Sequence, residues 1–154
     1  MKKTLLLTIL FFLLKHEASY SQNEKNMNAA TASAAFAAWG EGEKTGNYEG
    51  FKKLLAPRFH TYSHPLDGNF TGKQALEKLL TLIADREKKS NQLSFSNIKI
   101  MDNGDDFAFS FDSQGQVAGG YPYKGFNIIV ISVSSNRVVG FREYFGFVDP
   151  AWFK

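Results

Sequence analysis

Two of the chain's three histidines, His60 and His64, lie close together, and with Tyr62 between them they share one side of a short extended run, 58–64. An imidazole exchanges protons near neutral pH. His64, directly before the turn Pro65-Leu66-Asp67-Gly68, is a candidate for a general base; the alternative is a histidine that only hydrogen-bonds that turn. His60 and Tyr62 either line the same hollow as His64 or are ordinary half-buried sheet residues. The spacing H-x-x-x-H would suit zinc on a helix, but four residues of strand span about 13 Å, so the rings cannot share an ion unaided and no metal is expected. Asp112 alternates with Phe107, Phe109 and Phe111. It reaches an interior only if those phenylalanines pack outward, and otherwise it is a solvated strand carboxylate. Near the C-terminus, Arg142 and Tyr144 share one strand face and Phe141, Glu143 and Phe145 the other; either face could be the inner one, and a cross-strand ion pair would also account for the charges.

Other chemistry is removed by composition or spacing. Without cysteine there is no thiol nucleophile, redox switch or thiolate metal site. Gly68-Asn-Phe-Thr-Gly72-Lys73-Gln74 has one spacer too few for a phosphate loop and lacks the hydroxyl that would meet magnesium, while Gly40, Gly42 and Gly46 follow no strand and make no dinucleotide fingerprint. No cofactor is expected. Asn69-Phe70-Thr71 matches a glycosylation sequon, which matters only in a host that modifies such sites.

The elements that hold these residues divide the chain into a helical first part and a strand-rich second. Ala29 to about Thr45 is alanine-rich with Phe36 and Trp39 three apart, which predicts a helix with one aromatic face, stopped by Gly46-Asn47. Tyr48, Phe51, Leu54 and Leu55 predict a second short helix, capped by Asn47 and blocked by Pro57. Thr71 and Gln74 have the spacing of a capping box before a third helix, whose stripe Leu76, Leu79, Leu80, Ile83 runs toward Glu87. Four strands rich in aromatic and β-branched residues follow, with hairpin turns at Asn103-Gly104 and Ser135-Asn136 and a longer connection from Gly115 to Pro122. The order predicts an α+β domain, helices covering one face of a curved antiparallel sheet, with a hollow between them suited to a small molecule.

Lys2 and Lys3 ahead of the apolar run Thr4–Leu14 have the pattern of an export signal, with cleavage expected after Ser21; the run is short for a membrane span. Residues 22–28 are expected to form a flexible leader and 29–154 the folded domain. Residues 1–21 hold three of the 18 Lys and Arg and one of the 15 Asp and Glu, so the remainder carries 15 against 14, a net charge of +1. So balanced a chain, with no basic cluster, gives no reason to expect nucleic acid or an anionic membrane surface as partner.

Several segments together resemble a known family: Gly46-Asn-Tyr-Glu-Gly-Phe51 through Leu55, the strand ending His64-Pro65, the turns at Gly68 and Thr71-Gly72, Phe107-Ala-Phe-Ser-Phe111, and Arg137-Val-Val-Gly-Phe-Arg142-Glu-Tyr-Phe145. Over roughly residues 34–147 the chain resembles SnoaL-like and ketosteroid-isomerase-like proteins of the nuclear transport factor 2-like (NTF2-like) superfamily. That resemblance implies a cone-shaped antiparallel sheet under three N-terminal helices, a homodimer, and an active site at the cone mouth. Ketosteroid isomerases carry an aspartate base where this chain has His64, so the resemblance ranks His64 first among the candidates for a base. Their oxyanion-binding tyrosine and protonated aspartate fall, within one residue, on Trp39 and on Asn127 or Ile128. No member of that trio is retained, yet imidazole can accept a proton, and indole or amide N–H can donate to a developing oxyanion.

Two readings follow. In one, an exported domain binds a small, largely apolar molecule and moves protons in isomerase, cyclase, dehydratase or hydrolase chemistry, with His64 and Asp112 active and Trp39, His60, Tyr62, Asn127, Arg142 and Tyr144 contacting the ligand. In the other, a homodimeric envelope protein interacts or carries a ligand without turnover.

Overall fold

Alanine-rich sequence propagates helix readily, and in the computed structural model of the protein the first helix, α1, runs over Lys2–Thr45. The structure describes residues 2–117 and 120–146, with side chains described from residue 23 onward. The segment expected as a flexible leader lies within α1, and Asn28 is buried there, its amide donating to Asp105 and its oxygen accepting from the backbone N–H of Asn136. The ordered packing thus begins ahead of Ala29. Gly46, at φ 81°, ends α1, and Asn47 Oδ1 accepts from the N–H of Glu49 to start α2, Glu49–Lys52, which is shorter than the apolar spacing suggested.

Strand β1, Thr61–His64, turns through 65–67 into β2, Gly68–Thr71, and helix α3, Gly72–Lys88, follows directly. The expected turn after His64 forms, and where the sequence suggested a capping box at Thr71 the chain first makes an edge strand. Thr71 sits in extended backbone opposite Thr61 and makes no side-chain cap bond. The long strands β3 (Gln92–Asn103), β4 (Asp106–Val117), β5 (Tyr121–Ser134) and β6 (Arg137–Gly146) complete one open, curved sheet in the order β2-β1-β6-β5-β4-β3. All neighbours are antiparallel except β1 and β6, which run parallel; the expected antiparallel meander is β3 to β6. Both expected hairpin turns form, with Gly104 and the pair Ser135-Asn136 at positive φ. Pairing continues to Val117 and resumes at Tyr121, leaving less of a loop than the glycines suggested; residues 118–119 lie outside the description, as does the domain end beyond Gly146.

The concave face is the apolar one. Phe107, Phe109 and Phe111 of β4, Ile129 and Ile131 of β5 and Phe141 of β6 lie buried beneath the helices. Phe36 of α1 stacks on Phe109 with ring centroids 4.3 Å apart, and Trp39 contacts Tyr48, Phe51 and Phe141. From α3, Ala75, Leu79 and Ile83 complete the core. A bulge between Ser96 and Lys99, with Asn97 at φ 53°, bends β3 away from a flat sheet. This core fills one end of the curl, and the other end stays open.

Candidate functional site

At the open end a cavity of about 520 Å³ lies between α1, α3 and the sheet. Leu66, Leu82, Leu93, Val117 and Phe145 give it apolar walls, while Glu43, His64, Arg86, Asn91, Asn127 and Glu143 bring polar groups to its inner end. Four elements converge to make that end polar. Glu43 follows Trp39 by one helical turn on α1, His64 is the last residue of β1, Arg86 extends the buried stripe of α3 one turn past Ile83, and Glu143 lies between Phe141 and Phe145 on the inner face of β6.

Arg86 binds these groups together. Its Nη1 pairs with Glu43 Oε1, and its Nη2 lies 3.2 Å from Glu143 Oε2 and 3.5 Å from His64 Nε2. The guanidinium also lies 5.1 Å from the centre of a Trp39 ring. Burial disfavours the cation, but Glu143 and Glu43 outweigh that cost and hold its pKa above the usual arginine value. Glu43 is fully provided for: Tyr48 OH donates to Oε1 at 2.8 Å and Asn91 Nδ2 to Oε2 at 2.8 Å. Among the described residues Glu143 has one donor, Arg86, and its burial pushes its carboxyl above the ordinary carboxylate range, only partly offset by that cation.

His64 is buried, and its Nδ1 accepts from the N–H of Leu66 at 3.3 Å. That bond assigns the ring proton to Nε2, the nitrogen 3.6 Å from Glu143 Oε2. Desolvation, reinforced by the neighbouring Arg86, lowers the His64 pKa despite Asp67 and Glu43, so the ring is neutral near pH 7. His64 thus bonds its turn through one nitrogen and faces the cavity with the other.

The remaining candidates separate. Asn127 lines the cavity, with Oδ1 accepting from Ser113 at 2.8 Å and Tyr123 at 3.3 Å. Tyr62 is fully buried and donates to Asp67 at 2.6 Å, steadying the turn rather than lining the cavity. Trp39 is likewise core, its indole N–H buried without a partner among the described residues. His60 precedes β1 and is exposed, so the shared parity with His64 does not carry it inside. Asp112 is corrected as a carboxylate of the interior: the phenylalanines of β4 face the helices, which puts Asp112 on the outer face, bonded to Asn97 at 2.7 Å. Arg142 and Tyr144 share that outer face, Arg142 paired with Asp106 at 2.8 Å and Tyr144 exposed. Glu43, Arg86, Asn91 and Tyr123 went unnoticed in the sequence. The available signal was a charge continuing an apolar stripe, as Arg86 does after Leu79 and Ile83. Among the described residues no group of three or more His, Asp or Glu is arranged to hold a metal ion.

No profile of a known protein family and no curated protein matches the chain. Solved structures do. An NTF2-like protein from Anabaena variabilis superposes with a TM-score of 0.66 at 24% identity, covering 79% of this chain and 91% of that one. A protein from a Jannaschia species described as a SnoaL-like polyketide cyclase gives 0.61 at 15% identity, covering 79% and 87%. One from Bacillus subtilis described as an isomerase gives 0.60 at 18% identity, covering 77% and 88%. At these identities the likeness is one of fold, and the fold is NTF2-like.

Proposed function

We propose that this NTF2-like chain binds a small, largely apolar molecule in its cavity and moves a proton on it, in chemistry of the isomerase or cyclase kind, with the His64 Nε2–H as the group that exchanges the proton. The observation that carries the reading is a 520 Å³ cavity with apolar walls and His64 Nε2 at its polar end. The volume falls in the range of small-molecule sites, about 300–1,000 Å³. A neutral imidazole held at Nδ1 by the Leu66 N–H carries its proton on Nε2, so toward the cavity it is fit to give that proton up and afterwards to take one back. The similar structures described as a cyclase and an isomerase support the class of reaction by analogy of fold.

Native mass spectrometry of the purified protein, followed by release and identification of any retained molecule, tests occupancy. Leu82→Trp, placed on the cavity wall, is expected to abolish retention. His64→Ala is expected to keep the molecule and lower turnover about 100-fold or more. Retention unaffected by Leu82→Trp would reject the cavity as the binding place.

Two attributes complete the proposal. Residues 1–21 act as an export signal; N-terminal sequencing of the protein recovered outside the cytoplasm should begin at Gln22. The outer sheet face exposes Met101, Phe126 and Tyr144, and this apolar surface favours a homodimer built on that face.

A further inference from the structure

Glu43 and Glu143 lie on opposite sides of a single guanidinium, both nearly removed from water, with side chains 2% and 7% exposed. One cation cannot neutralise two carboxylates, and a surplus buried charge is costly enough that such a group takes up a proton instead. The donors decide which one. Tyr48, Arg86 and Asn91 serve both oxygens of Glu43, whereas Arg86 alone serves Glu143, through Oε2. Among the described residues no donor reaches Glu143 Oε1, and Glu143 lines the cavity.

Resting on the reading of this cavity as a small-molecule site, we infer that Glu143 is protonated at neutral pH and donates a hydrogen bond to an uncharged oxygen of the occupant, a carbonyl or hydroxyl. Glu43 keeps the negative charge that Arg86 neutralises. The groups facing Glu143 are consistent with this. Glu43 approaches from α1, Tyr62 and His64 from β1, and Arg86 from α3. Of these only Arg86 is a cation, and both its Nη atoms are engaged. Lys89 and Asp85 stand at the exposed rim, where their charges are opposed. Among the described residues an anionic occupant would thus meet no free cation at the polar end. Burial raises the Glu143 carboxyl in the same sense.

Carbon-13 NMR of the protein labelled at glutamate side-chain carboxyls tests the assignment without any ligand. One resonance, missing in Glu143→Gln, is expected at the position of a protonated carboxyl at pH 7; an ionised position overturns the inference. The probes for the occupant are 2-acetonaphthone and 2-naphthoate, which share a ring system and differ in charge. The ketone is expected to shift the amide signals of Asn127 and Phe145 and to bind at least about tenfold tighter than the carboxylate, with Glu143→Ala losing about tenfold and Glu143→Gln, still a donor, keeping most of the affinity. Equal or tighter binding of naphthoate overturns the inference alone, as does an ionised Glu143 beside normal ketone binding. Binding of neither probe overturns the small-molecule reading and this occupant with it.

Discussion

Arg86 is the residue on which the charged end of the cavity depends, since it alone separates two buried carboxylates. Arg86→Met is expected to destabilise the protein by about 3–5 kcal/mol, the cost of leaving buried charge without its partner. Adding Glu143→Gln should recover part of that loss, which urea unfolding of the single and double variants would reveal. The two titrating neighbours give opposite pH trends. His64 has a lowered folded pKa, so the unfolded chain takes up the proton first. Stability is therefore expected to fall as pH drops from about 6.5 through the folded value. Glu143 has a raised folded pKa, and its contribution is full below about 4.5 and lost as pH rises through the folded value. Thermal melts across pH should show the acid-side slope flattened in His64→Gln and the other slope removed in Glu143→Gln. Little of this was legible in the sequence: His64 stood out because its turn was visible, while Glu43 and Glu143 looked like charges on any helix or strand.

At the scale of elements, the sequence predicted the three helices and the last four strands because their apolar periods are strong, and it missed β2 because Gly68 to Thr71 has no alternation to reveal a strand. Thr71 makes the consequence testable. Since it makes no cap bond, Thr71→Ala should cost less than about 0.5 kcal/mol, below the roughly 1 kcal/mol of a working N-cap. Gly115 behaves in the opposite way. Its φ is 151° and an added Cβ would overlap the carbonyl of Gln92 on the neighbouring strand. Gly115→Ala is expected to cost about 2–4 kcal/mol, read from the denaturation midpoint, because either the β3–β4 pairing or the backbone must yield. That cavity-side stretch of β4 and β5 was read from its glycines as a loop, whereas Gly115 is the glycine that lets two strands approach.

For the whole molecule, the deciding feature is which face of the sheet the helices cover. The outer face left open carries Phe126 and Tyr144, 54% and 47% exposed, and Phe126→Glu is expected to shift the protein from dimer to monomer in light scattering at micromolar concentration. A wild-type chain already monomeric there would remove the dimer proposal. By itself the sequence determined the α+β class and the exclusion of thiol chemistry, because periodicity and composition are local and survive without knowledge of packing; the placing of His64 at a cavity mouth came from the family resemblance. Only the tertiary structure decided that Asp112, Arg142 and Tyr144 face outward, that His60 stays exposed, and that Glu43, Arg86 and Glu143 meet at His64. Alternation along a strand says which residues share a face but not which face is covered, and residues 43, 86 and 143 come together only where three separate elements close over one end of the sheet.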